Sequence, residues 1–159
     1  MKKQLDKTSI KILELLTKNA KITNSDIAKE IGLVPSAVLE RVRKLEKNGV
    51  INGYTALLNK EVFKLNLLAF VHIAVDVPNW DDEIAKNLVK VPWVQEIHEI
   101  TGEESYLLKI CTQGPVHLSN VLKNYIAKVK GVKYTKTTIV LKSLKETTNF
   151  PLEIPPIKK

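Results

Sequence analysis

Arg41 and Arg43 are the only two arginines in a chain of 159 residues, and they stand two positions apart. A lysine offers a point charge, whereas the guanidinium fork can hold a phosphate or a guanine edge through two parallel bonds. Lysines surround the pair at Lys44 and Lys47. Residues 1–60 carry 10 Lys and 2 Arg against 6 acids, a net of +6, and residues 61–159 carry 13 Lys against 11 acids, a net of +2. Three quarters of the total of +8 therefore lies in the first third, a bias that suits a polyanion partner.

Other chemistry is scarce. His72, His98 and His117 are scattered and share no metal-ligand spacing, and the single Cys111 excludes an intramolecular disulfide framework and a Cys-based zinc site. A reducing compartment, the cytoplasm, is the expected location. No P-loop, GxGxxG, GxSxG or HExxH motif occurs, so neither a cofactor nor a metal is expected. Asp81-Asp82-Glu83 reads as negative charge at a helix start. The longest apolar stretch, Leu67 to Val75, contains His72 and is less than half the ~20 residues a spanning helix needs. No membrane partner is expected.

The arginines need a scaffold, and the surrounding sequence supplies one. A first helix is expected over residues 6–19, with Ile10, Leu13, Leu16 and Ala20 on one stripe. Thr23-Asn24-Ser25-Asp26 starts a second helix, with Ile27, Ala28 and Ile31 inward, and Gly32 stops it. A third begins near Pro35 and runs to Asn48-Gly49. Two helices joined by a short Gly-containing turn form a helix-turn-helix pattern. At about 100° per residue, Val38, Val42 and Leu45 share the inner face of the third helix, with Leu39 at its margin. Ser36, Glu40, Arg43, Lys44 and Lys47 lie opposite, and Arg41 sits at the border. Such a face suits a helix in the major groove of double-stranded DNA. Glu40 could accept from cytosine or pair with Lys44 one turn on. Residues 50–54 read as a short strand and turn, a candidate wing.

From Leu67 the apolar period becomes alternating. The expected elements are a strand carrying Ala69, Val71, Ile73, Val75 and Val77, a break at Pro78-Asn79, and a helix from Trp80 to Val91 with Ile84, Leu88 and Val91 inward. Strands then follow over Val94–Thr101 and Tyr106–Thr112, with Gly102 in the turn between them. After Gly114-Pro115 comes a helix bearing Leu118, Val121, Leu122 and Tyr125, and the last strand is Val132–Leu141. A faint repeat relates residues 88–94 to 126–132, each the exit from a helix into a strand. The order βαββαβ is the ferredoxin-like split unit. The chain thus reads as α+β: a helix-turn-helix domain over 1–54, a linker strand over 55–66, a ferredoxin-like domain over 67–142, and an extended, edge-seeking tail over 143–159. Both helices of the second domain lie on one side of its sheet, so the bare face should pair with a second copy; the alternative is a monomer whose face the linker and tail cover.

These residues resemble the Lrp/AsnC family, the leucine-responsive or feast/famine transcriptional regulators. Leu5-Asp6, Gly32-Leu33-Val34-Pro35-Ser36, the run Leu39 to Ile51, Gly53-Tyr54, Leu57-Leu58-Asn59 and Thr101-Gly102 before Tyr106-Leu107-Leu108-Lys109 carry the likeness, over about residues 5–142. The resemblance implies a DNA-binding regulator built from dimers that often assemble into octamers, with an amino-acid effector near the loop after the second strand. Carried to this chain, that loop is Thr101, Gly102, Glu103, Glu104, Ser105 and Tyr106. Two positions depart from the family pattern. Val34 stands where Ser or Thr is common, and Ser105 where Asp is common. Glu103 and Glu104 add negative charge that would suit a basic amino acid better than a neutral one. Two rival readings are an enzyme of the haem-pathway decarboxylase kind and a metabolite sensor that no longer binds DNA. The second half contains no Arg for the first, and the basic helix opposes the second.

Overall fold

A computed structural model describes residues 5–76 and 82–152. The chain divides into two compact units, residues 1–57 with 146–159, and residues 58–145.

In the first unit, α1 spans Lys7–Lys18, α2 Asn24–Ile31 and α3 Pro35–Lys47. Asp6 caps α1 by accepting from the Ser9 N–H at 2.7 Å, and Thr23 caps α2 by accepting from the Asp26 N–H at 3.1 Å. Gly32 ends α2 in the left-handed region (φ +70°). There the Leu33 N–H reaches back to the Ala28 carbonyl at 2.9 Å, the bond that such an ending requires. Ile12, Leu13, Ile27, Ala28, Val38, Val42 and Leu45 form the core. The inner face of α3 is as expected. On α1 the buried residues are Ser9, Ile12 and Leu13, while Ile10 is half-buried and Ala20 is exposed. Because α1 packs on both α2 and α3, it needs a broader inward arc than one stripe.

The wing does not form a strand. The Val50 and Ile51 N–H groups both donate to the Leu45 carbonyl, at 2.9 and 3.3 Å, so the chain wraps the end of α3 and offers no ladder. Ile51 instead packs against the core. The expected linker strand is also absent. Residues 60–64 make a turn closed by Leu65 N–H to the Lys60 carbonyl at 3.0 Å, with Lys64 left-handed at φ +57°.

The second unit holds β1 (Leu67–Val75), α4 (Asp82–Val89), β2 (Val94–Glu99), β3 (Tyr106–Thr112), α5 (Pro115–Val121) and β4 (Val132–Ile139). The sheet order is β2-β3-β1-β4 with every pairing antiparallel, the topology expected of βαββαβ. Ala69, Val71 and Ile73 of β1 and Leu108 and Ile110 of β3 pack under Ile84, Leu88, Leu118, Val121 and Ile126. The opposite sheet face carries half-buried Phe70, His72 and Leu107. Val77, Pro78, Asn79, Trp80 and Asp81 lie outside the described residues.

After α5 the helix widens into one π-helical turn, Leu122–Ile126, closed by Ala127 N–H to the Leu122 carbonyl at 2.8 Å. The added residue turns Ile126 into the core and leaves Tyr125 45% exposed, against the Trp93 ring at 5.1 Å. Tyr125 was expected inward. The tail seeks no sheet edge within residues 143–152, which pair with no strand. Leu152 packs on the first unit's core instead, and the Asn149 amide donates to the Thr17 carbonyl at 3.3 Å. Pro155 and Pro156 lie outside the described residues.

Candidate nucleic-acid interface

The three helices of the first unit fix what α3 shows to solvent. Pro35 supplies the first helical residue, and Val34 before it provides no side-chain cap. Val38, Val42 and Leu45 anchor one face, and Ser36, Glu40, Arg43, Lys44 and Lys47 are all exposed on the other. Among the described residues none of Arg43, Lys44 and Lys47 has an ion-pair or hydrogen-bond partner, and Glu40 does not pair with Lys44. Three cationic groups therefore stand unneutralised on one helix face, with a small hydroxyl in its first turn. Such a surface can bind phosphate oxygens and base edges.

Arg41 is placed differently. Its Nη1 donates to Asp6 Oδ2 at 2.8 Å, and its side chain is only 38% exposed. The same carboxylate caps α1 through Ser9. The hydrogen bond from Ser9, followed by that from Arg41, holds the Asp6 carboxyl far below its usual range. At the far end of α3, Tyr54 Oη donates to Glu46 Oε1 at 2.9 Å. Burial and then the Glu46 carboxylate raise the Tyr54 phenol above its ordinary value. The sequence marks Asp6 only through the Leu5-Asp6 likeness and gives Glu46 no role of its own. Their partners lie 35 and 8 residues away, beyond the reach of helix periodicity.

In the second unit, residues 100–105 join β2 to β3. The Ile100 N–H donates to the Ser105 carbonyl at 2.9 Å, and the Ser105 N–H to the Ile73 carbonyl at 2.8 Å, so the loop is pinned to the central strand. Gly102 has φ +128°, a conformation that L side chains rarely adopt, which explains glycine there. Thr101, Gly102 and Glu103 are exposed, and Glu104 and Ser105 are half-buried. Neither glutamate is ion-paired among the described residues. The Tyr106 side chain is 4% exposed and belongs to the core, so it supports the loop from beneath.

The histidines make no constellation. His72 sits on β1, His98 lies 3.4 Å from Glu96, and His117 meets the Trp93 ring edge-on at 4.9 Å. Among the described residues no group of three or more His, Cys, Asp or Glu could hold a metal. No described helix is long and apolar enough to cross a membrane.

Comparison with known proteins agrees with this geometry. A winged helix-turn-helix DNA-binding family matches residues 5–52, and the Lrp/AsnC ligand binding domain matches residues 68–150. The HTH-type transcriptional regulator FL11 of Pyrococcus furiosus is 39% identical over 149 residues, 94% of this chain and 97% of its own length. The leucine-responsive regulatory protein of Haemophilus influenzae is 39% identical over 150 residues, 93% of this chain and 90% of its own length. Among solved structures, a Neisseria meningitidis transcriptional regulator in complex with L-Met superposes with a TM-score of 0.88 at 34% identity, covering 94% of this chain and 97% of that one. Escherichia coli AsnC gives 0.87 at 26% identity, covering 94% and 100%. A helix-turn-helix unit with an unpaired basic face, joined to a ligand-binding unit of this topology, is a DNA-binding transcriptional regulator, and the chain belongs to the Lrp/AsnC family.

Proposed function

We propose that this regulator places α3 in the major groove of double-stranded DNA. Ser36, Glu40 and Arg43 would meet base edges, and Lys44 and Lys47 would grip phosphate. The observation that carries this reading is the outward face of α3, where Arg43, Lys44 and Lys47 are exposed, and unpaired among the described residues, above a buried Val38-Val42-Leu45 face. An anisotropy titration of Arg43→Ala against a duplex selected by the wild-type protein tests it. Affinity should fall by roughly 1–3 kcal/mol, and an unchanged affinity removes Arg43 from the interface.

The chain works by binding and has no catalytic step in this reading, and its place is the cytoplasm. It acts as a dimer or an octamer, paired through the sheet face of the second unit that bears Phe70, His72 and Leu107. Two recognition helices would then address a twofold-related site. Residues 101–106 receive an amino acid in this reading; a similar solved structure, from Neisseria meningitidis, is a complex with L-Met. The exposed backbone about Gly102 suits the effector carboxylate. The unpaired Glu103 and Glu104 favour an effector with a basic side chain, because their negative charge attracts a cation and opposes a second anion. Titration calorimetry with lysine, arginine, leucine and methionine tests this. Heat from the first two is expected, and heat from leucine or methionine alone would reject a basic effector.

A further inference from the structure

The pair of arginines that drew attention to α3 does not act as a pair. We propose that Arg41 is a positioning residue: its bond to Asp6 fixes the recognition helix against the start of α1, and it makes no phosphate contact. This rests on α3 being the DNA-contacting helix and adds a division of labour along it.

Asp6 uses its two carboxylate oxygens for two different helices. Oδ1 accepts from the Ser9 N–H at 2.7 Å and so caps α1, while Oδ2 accepts from Arg41 Nη1 at 2.8 Å and so holds α3. One carboxylate thus joins the first turn of α1 to the middle of a helix 35 residues later. Both bonds favour the charged form of the carboxyl, whose affinity for protons is lowered by Ser9 first and Arg41 next. Arg43, by contrast, is exposed and has no partner among the described residues. A guanidinium at 2.8 Å from a carboxylate must give up that bond before it can meet a phosphate. A neighbouring arginine without such a bond pays no comparable penalty. An error of a few degrees in α3 would displace Ser36, Arg43 and Lys47 together, so a residue that only orients the helix still changes DNA affinity.

The test compares Asp6→Asn, Arg41→Gln and the double variant, with the full chain and a duplex selected by the wild-type protein from a random library. Asparagine is as good an N-cap as aspartate, so Asp6→Asn keeps the Ser9 bond and removes the ionic partner of Arg41. Circular dichroism melts confirm that each variant is folded. If Arg41 positions α3, each single variant weakens binding by a similar factor, roughly two- to fivefold for an exposed pair. The double variant is then no worse than either single one. The slope of log affinity against log salt stays at the wild-type value, because no phosphate contact is lost. The proposal is overturned if Asp6→Asn leaves affinity unchanged or raises it, if the two effects add, or if Arg41→Gln lowers the slope by about one. Arg43→Ala in the same series separates the two levels. Loss of affinity there with an unchanged Asp6→Asn rejects only the role of Arg41, whereas no loss at Arg43 removes Arg43 from the interface and with it the contrast drawn between the two arginines.

Discussion

The outer face of α3 and three lysine sites of the second unit treat charge in opposite ways. In residues 58–145 three lysines lie beside acids: Lys86 with Glu83 at 2.8 Å, Lys109 with Glu96 at 3.0 Å, and Lys133 with Asp76 at 3.7 Å. On α3 of the first unit, Arg43, Lys44 and Lys47 face solvent unpaired among the described residues. Exposed ion pairs add little to stability, so the contrast concerns what each surface can still bind. Charge neutralised within the fold suits a surface that assembles or holds a small ligand. Charge left open on one helix suits a polyanion, whose condensed counterions are released on contact.

The cores differ as well. The first unit relies on seven buried apolar side chains from three short helices, and the second on thirteen buried residues beneath a four-stranded sheet. Ile27→Ala should therefore be the most damaging change considered. Removing a fully buried Ile side chain costs about 2–5 kcal/mol, a large part of what so small a core can supply. In denaturant titrations the first unit should unfold earlier and DNA binding should vanish, while the signal of the second unit stays where it was. Leu108→Ala should reverse that pattern. A single transition that shifts equally in both variants would show that the units do not unfold separately.

Next in size is a contrast between an open and a paired cation. Arg43→Ala should weaken DNA binding by roughly 1–3 kcal/mol, and Lys133→Ala, whose cation pairs with Asp76 in the second unit, should leave it within error. Equal losses in the same anisotropy assay would mean that net charge, not the α3 face, governs binding.

Helix starts provide a smaller effect within the first unit. Thr23 caps α2 and Val34 leaves α3 without a side-chain cap. Thr23→Ala should cost about 0.5–2 kcal/mol, and Val34→Ser should stabilise by a similar amount, both read from chemical denaturation. If Val34→Ser destabilises, the exposed valine is itself part of a packed or binding surface.

The pH response is the finest discriminator. The Asp6 carboxyl is held below the ordinary value of 3.8 in the folded chain, chiefly by Ser9 and then by Arg41. A lowered folded pKa contributes stability above the unfolded value, and that stability is lost as the pH falls from about 3.8 toward the folded value. Acid melts should therefore steepen below this point in the wild type and be flatter in Asp6→Asn. Identical profiles would mean that the Ser9 and Arg41 bonds do not persist in solution.

What the sequence disclosed follows from the range of the forces involved. The α3 face was legible because Val38, Val42 and Leu45 recur at helical spacing, and the strands because β-branched residues alternate. The ends of α2 and α3 were marked by Gly32 and Gly49, which the structure holds at φ +70° and +67°. Features that depend on distant residues were not legible. The Asp6–Arg41 bond spans 35 positions, and Leu152 reaches the first core from a proline-containing tail that reads as extended and edge-seeking. The strand expected in the wing does not form: Val50-Ile51 has strand composition, but its N–H groups are taken by Leu45. Tyr125 was placed inward because a π-helical turn shifts the face by one residue, which a regular helical wheel does not anticipate.

The central claim is that α3 lies on DNA, with Lys44 and Lys47 on phosphate. Its most direct test is the salt dependence of DNA affinity for the wild type and Lys47→Ala. A lost phosphate contact lowers the slope of log affinity against log salt by about 0.9, and this account predicts that reduction together with an even loss across duplex sequences. A Lys47→Ala protein with the wild-type slope would contradict it.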